Sequence, residues 1–546
     1  MLSISGQLVD VLQQRIFPAE ITIENGTITE ITPLSEAPDQ FIMPGFIDAH
    51  IHIESSMLTP YEFSKIALTH GTVATVSDPH EIANVCGVDG VNYMIENAAH
   101  SPLKFNFGAP SCVPASAFET AGATLDAASI DLLLQKDSIK YLAEMMNFPG
   151  VLSRDAEVMA KIAAAQKHGK PVDGHAPGLK GEQAAQYAAA GISTDHECFT
   201  MEEALDKLKA GMYILIREGS AAKNFDVLAD LFVSHPGKLM LCSDDKHPDD
   251  LLRGHINQLV QRAIAKGFEL MDVLHAACVL PVQHYGLDVG LLQKGDHADF
   301  IVVSDLKDFK VMQTYINGNK VAEKGQAYME DYSSTGINNF SINTKTANEF
   351  RLKANSEGNK KTVRVIEAID GQIITKSIQA ELPVKEGFVQ PDPAQDILKL
   401  CVVNRYQNAP PAIAFVKGFG LQNGALASSV AHDSHNIIVA GTDDEAICKA
   451  VNTIIEHQGG ISMVNEPSVA VLPLPVAGLM TALDARSTGQ KYEQLDAGVK
   501  AMGCNLRAPF MTLSFLALSV IPSLKLTDRG LFDVDAFNFA DVFSVS

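Results

Sequence analysis

Residues 41–56, FIMPGFIDAHIHIESS, decide the fold, because an apolar run ends in two histidines one residue apart. If this run is a β-strand, side chains alternate between its faces, so His50 and His52 point one way while Ile51 and Ile53 point the other. Two imidazoles then reach one point in space at a strand end, an arrangement suited to a metal ion. A pair of solvated or core histidines beside a turn is the stronger reading of this stretch alone, so the rest of the chain has to shift the balance.

Working outward, residues 46–289 alternate short apolar runs with amphipathic or loop sequence. The runs are GTVATVS, KFNFGA, IKYLAEMM, PVDGHA, ISTDHE, YILIR and KLMLCSDD, and the opening FIDAHIH makes eight strands. Eight strands in roughly 250 residues is the usual extent of a (β/α)8 TIM-like barrel, so an α/β barrel is expected. One helix carries clear signals: Thr59 as N-cap, Pro60 at the first helical position, Glu62 as capping-box partner and Gly71 beyond the end.

The flanks read differently. Residues 1–45 and 290–330 share a texture of short β-runs and turns, with Asn25-Gly26 as a hairpin signal. Together they predict one small discontinuous β-sandwich domain into which the barrel is inserted. Residues 326–362 are polar and irregular, and a C-terminal α+β domain over 345–546 is expected. Its strands are VRVIEAI, KLCVVNRY, AIAFVKGF and HNIIVAG, and DEAICKAVNTIIEHQ and VAGLMTALDA read as helices.

Composition bounds the function. A chain of 546 residues is too long for one core, and 46% hydrophobic residues suffice to pack two or three. A formal charge of −23 and a pI near 5.1 argue against nucleic acid or an anionic membrane as partner. Eight cysteines without any C-x-x-C spacing suggest reduced thiols and a cytoplasmic location. The N-terminus has no signal-peptide pattern, and the late apolar segments are short and broken by proline, so no membrane span is expected.

In a barrel, chemistry sits where the strands end. His50 and His52 close the first run, Glu144 lies in YLAEMMNFPG, His175 ends PVDGHA, His196 ends ISTDHE and Asp244 ends KLMLCSDD. Any one of them reads as structural, a strand-end Asp being a common N-cap. Four histidines and two carboxylates at matching ends supply nitrogen and anionic oxygen ligands for two divalent ions.

PGFIDAHIHIESS, the GHAPG and DHE histidines and CSDD resemble the metal signature of the amidohydrolase superfamily. Within it, MPGFIDAHIHIESSML, SDPHEIANVCG, EMMNFPGV, DGHAPGL and CSDDKHPDDLLRGHINQLVQRAI are similar to the bacterial adenine deaminase family over nearly the whole chain. The resemblance implies that His50, His52 and Asp244 hold one metal and His175 and His196 the other, with Glu144 as the bridge. Many superfamily members bridge with a carboxylated lysine, but Lys140 stands at the wrong end of its strand. The family's metal is manganese or iron, and an N/O ligand set fits zinc as well.

The implied reaction is hydrolysis of adenine to hypoxanthine and ammonia by attack of a metal hydroxide at C6, in a homodimer with adenine as its small-molecule partner. Asp244 accepts the hydroxide proton. The amino group leaves only if N1 and then the amine are protonated, and Glu81 in SDPHEIANV is the leading donor to N1. Its plain alternative is an acid at a helix N-terminus. Asp78, His80, Asp245 and Arg217 are candidate substrate contacts, Asp245 and His247 reading otherwise as exposed turn residues and Arg217 and Glu218 as a surface pair. Glu197 should face away from His196 and read as structural. His432, Asp433 and His435 form a polar knot, more simply a turn than a group reaching a site. A different amidohydrolase acting on a cyclic amide, as dihydroorotase and hydantoinase do, is the alternative activity, and a catalytically silent metal scaffold is a further one.

Overall fold

The computed structural model describes residues 1–543. Its centre is a ring of parallel strands: β1 (Phe46–Ile51), β2 (Thr72–Ser77), β3 (Lys104–Ala109), β4 (Ile139–Met145), β5 (Val172–Gly174), β6 (Thr194–Asp195), β7 (Tyr213–Arg217) and β8 (Leu239–Cys242). They pair in chain order as a five-stranded and a three-stranded sheet. Isolated parallel bridges Val172↔Ile192 and Ile51↔Asp244 join the two sheets and close the ring. Strands covered on both faces need no polar alternation, which is why YILIR and LMLC read as continuous apolar runs. The expected barrel is present, with β5 and β6 much shorter than PVDGHA and ISTDHE suggested.

Helix α1 (Pro60–Ala67) starts where expected and is followed by a 3-10 turn ending at Gly71, whose φ of 81° a side chain would strain. The capping box does not form. Thr59 makes no side-chain cap, and Glu62 instead binds Lys65 at 2.8 Å. Tertiary contacts have taken over the cap: Asn97 Oδ1 accepts the Tyr61 N–H at 2.8 Å, and Thr59 N–H donates to Thr481 O at 3.2 Å.

The flanks form one eight-stranded sheet drawn from both ends of the barrel segment, with strand Phe41–Pro44 lying between Leu2–Asp10 and Phe300–Val303. The sheet folds over on itself, Ile28 N–H donating to Asp296 O at 2.9 Å, and encloses Leu8, Ile21, Ile42, Phe300 and Tyr315. Asn25 and Gly26 both take positive φ, as the Asn-Gly hairpin requires.

The C-terminal part builds a ten-stranded sheet from residues 352–473, with helix Asp444–Glu456 packed on it. VAGLMTALDA is not helical. Ala477 and Gly478 take positive φ, Val476 bridges to Met480, and Thr481 bridges to Leu58, so this apolar stretch is a buried turn against the barrel. The next helix begins at Ala485, where Asp484 caps Ser487 N–H at 2.8 Å. No helix among the described residues is long and apolar enough to cross a membrane, and all eight cysteines are free.

Candidate metal centre and active site

The six strand-end residues converge. Glu144, at the end of β4, lies 3.0 Å from His175 Nδ1 and 3.0 Å from His196 Nε2, and 3.7 and 3.6 Å from Nε2 of His50 and His52. Asp244 Oδ1 lies 3.6 Å from His50 Nε2 and 3.3 Å from His52 Nε2. All six are buried. Backbone bonds set this geometry at the barrel seam, where Asp244 N–H donates to His50 O at 2.9 Å and His52 N–H to Asp244 O at 3.4 Å. Asp244 itself sits at φ 55°, a conformation that Asp tolerates and that aims its carboxylate into the ring.

Beneath the ligands, Asp48 shares a strand face with His50. It accepts from Ser243 N–H at 2.9 Å and from the Ser243 hydroxyl, and lies 2.7 Å from His255 Nε2. Asp48 therefore ties β1, β8 and the helix after it into one frame. Asp48 lies outside the His-x-His pattern, although strand periodicity puts it on the same face as His50 and His52.

Arg217, at the end of β7, is fully buried rather than paired at the surface. Its guanidinium binds Glu197 and Asp244, with Nη2 to Glu197 Oε2 at 2.9 Å. Its fork is turned to protein carboxylates rather than to a ligand. Glu197 faces the site as well, 3.7 Å from His175 Nδ1, because β6 ends at Asp195 and strand alternation stops before it reaches residue 197. Glu218 binds Arg262 at 2.6 Å.

Burial raises the Asp244 carboxyl, but Arg217 beside it and then His50 and His52 outweigh this and hold it well below the usual carboxylate range. Glu144 is likewise held low against burial, by His175 and His196. The cavity is lined by six carboxylates, Glu81, Glu144, Glu197, Asp244, Asp245 and Asp433, against one guanidinium. That much buried negative charge calls for cations. His50 Nδ1 and Nε2 and His175 Nε2 are buried without hydrogen bonds, as nitrogens kept for metal coordination would be. The donor set fits two divalent ions.

The SDPHEIANV loop supplies a second group. His80 and Glu81 open helix α2 (His80–Ala98), with Asp78 Oδ1 accepting the His80 N–H at 3.0 Å. His80 Nδ1 lies 3.1 Å from Asp78 and 3.5 Å from Glu144, and its Nε2 lies 3.5 Å from Glu81. His432 Nδ1–H donates to Glu81 Oε1 at 2.6 Å, and His435 lies against Glu81 Oε2. Burial pushes Glu81 up, yet His432, His435 and His80 together hold it well below its ordinary value. The turn reading of 432–435 is thereby overturned: the knot reaches the barrel from the C-terminal domain. No local signal in AHDSHN reveals its partner, 351 residues away in the chain.

Asp245 and His247 are buried rather than exposed. Asp245 accepts from Ser55 Oγ at 2.5 Å, and His247 Nδ1 meets Tyr492 OH at 2.6 Å. A roof of Ile373, Phe515 and Leu518 from the C-terminal part, with Ala222 and Met146 from the barrel, covers the cavity.

The Amidohydrolase family model matches residues 41–321, and the Adenine deaminase C-terminal domain model matches residues 372–538. The chain is 53% identical to the adenine deaminase of Salinibacter ruber (strain DSM 13855 / M31), over 99% of each chain. It is 52% identical to that of Sulfurovum sp. (strain NBC37-1), again over 99% of each. The adenine deaminase of Methanosarcina barkeri (strain Fusaro / DSM 804) is 49% identical over 100% of both chains.

Proposed function

The chain belongs to the adenine deaminase family of the amidohydrolases, and from that premise we propose that it hydrolyses adenine to hypoxanthine and ammonia at the barrel mouth. The observation that carries the reading is the convergence of His50, His52, Glu144, His175, His196 and Asp244 inside one acidic, buried cavity.

His50, His52 and Asp244 would hold one divalent ion and His175 and His196 the other, with Glu144 within reach of both sets. Manganese or ferrous iron would suit these donors, and zinc is compatible with them. Ions bound there supply a hydroxide at neutral pH. The chain's own groups do the rest. Asp244, fixed by Arg217, takes a proton from the attacking water and returns it to the departing amine. Asp78 and His80 set the position of Glu81, and Asp245, held by Ser55, borders the purine. The apolar roof gives a planar heterocycle a dry surface and keeps bulk water from the reacting carbon. The enzyme works in the cytoplasm as a homodimer built from a discontinuous sheet domain (1–45 and 290–330), a barrel (46–289) and a C-terminal domain (345–546).

The test is substrate choice. Metal-loaded protein is offered adenine, dihydroorotate and hydantoin, with product followed by ultraviolet absorbance and chromatography. Conversion of adenine alone supports the reading, and turnover of a cyclic amide with adenine untouched replaces it.

A further inference from the structure

The cavity contains an acid-base pair that the metal ligands do not use. His432 lines it from the C-terminal domain, and two contacts fix its ring. Nδ1–H is bound to Glu81 Oε1 at 2.6 Å, and the ring stacks on Phe515 with centroids 4.5 Å apart and planes 18° from parallel. With Nδ1 engaged by Glu81, Nε2 is the ring nitrogen left for the cavity that His432 lines.

Glu81 is spoken for on both oxygens. His435 Nδ1 accepts the Ala431 N–H at 3.2 Å, which fixes that ring as the tautomer carrying its proton on Nε2, against Glu81 Oε2. A carboxylate that accepts from one imidazole and lies against a second has no proton of its own to deliver. It is instead arranged as the carboxylate of a carboxylate–histidine pair, orienting one imidazole and stabilising its charged form.

We propose that His432 is the catalytic acid that protonates the purine, with Glu81 and His435 as the positioning residues that hold it. This rests on the adenine-hydrolysis reading. As the water oxygen bonds to C6, the Nε2–H bond of His432 breaks and its proton passes to N1, while Asp244 takes one water proton. Asp244 then returns that proton to the amine, the C6–N bond breaks and ammonia leaves. The remaining hydroxyl proton goes back to His432 as the C6 carbonyl forms, so hypoxanthine keeps its N1–H and the site is reset. Against the lowering effect of burial, Glu81 and then Asp245 raise the His432 ring to about 9, so it carries its proton at neutral pH.

The experiment compares wild type, His432→Asn and Glu81→Gln, all full-length and metal-loaded, on adenine and 6-chloropurine. Asparagine can still meet Glu81 but has no Nε2. Chloropurine has a more electrophilic C6, and its chloride leaves without a proton. The expected result for His432→Asn is a loss of about 10²–10⁴ in kcat on adenine and a much smaller loss on chloropurine. Equal losses on both substrates, or no loss on adenine, overturn the proposal.

If His432→Asn does not fold, Glu81→Gln decides through the alkaline limb of kcat/KM. The groups facing His432 are Glu81, Asp245, Asp433, His435 and His247, and removing the Glu81 charge should move that limb to lower pH. An unmoved limb overturns the proposal. If wild type itself leaves adenine intact, the adenine reading fails and the role of His432 falls with it. If wild type turns over normally and the variant does too, this inference alone fails.

Discussion

The Arg217 guanidinium binds Asp244, a metal-ligand candidate, from inside the barrel wall, with both side chains buried and Glu197 on the other arm of the fork. A buried ion pair of this kind is costly to break from one side, because the surviving charges stay uncompensated.

Arg217→Met therefore leaves Glu197 and Asp244 exposed to each other's repulsion. The expected outcome is destabilisation of roughly 3–5 kcal/mol in denaturant unfolding of the metal-free protein. Chelator competition on protein that remains folded should show metal affinity lower by about 10–100-fold, since Asp244 loses the group that orients it.

Among the described residues, Glu144 is the one carboxylate within 4 Å of all four ligand histidines, at 3.0, 3.0, 3.6 and 3.7 Å. Glu144→Gln should lower the tightly held metal after desalting from two equivalents per chain to one or fewer, as elemental analysis would measure. Two equivalents retained at wild-type affinity would remove Glu144 from the bridging role.

The barrel and its ligand set were legible because their signals are local. Each ligand follows an apolar run, and strand periodicity alone aligns His50 with His52. What could not be read was contact between segments far apart in the chain. Strand alternation points Glu197 away from the site only if the strand runs past Asp195, where it stops. His432 and His435 look like a turn in sequence because Glu81, the partner that explains them, lies in another domain's sequence. VAGLMTALDA has the composition of a helix, but packing against Leu58 bends it into a turn. Thr59 lost its capping role to Asn97 for the same reason.

Glu119 borders the C-terminal knot, and burial, with Asp433 adding to it, pushes its carboxyl up to about 8. The folded protein then binds a proton that the unfolded chain, with a carboxylate near 4.3, has released. Stability from this group is complete below about pH 4 and is lost as pH rises toward 8. Glu119→Gln removes that loss, so its melting temperature should match wild type near pH 4 and exceed it increasingly up to pH 8. A gap that does not grow with pH would contradict the buried protonated carboxyl.

Lys525 is fully buried, with no carboxylate partner among the described residues, and its ammonium donates to Ile373 O at 2.7 Å and Phe515 O at 2.8 Å. It hangs two roof residues from one point. Both residues line the cavity from the C-terminal part. Lys525→Met should loosen the roof, giving a several-fold change in KM for adenine with the two-ion stoichiometry intact, as steady-state kinetics and elemental analysis would report.

The most direct test of the account is ammonia release from adenine by chelator-stripped protein titrated with manganese or ferrous iron. The account predicts negligible release without metal and a rise that levels off at two equivalents per chain. Full release from the stripped protein, or none at any loading while two ions are bound, would contradict it.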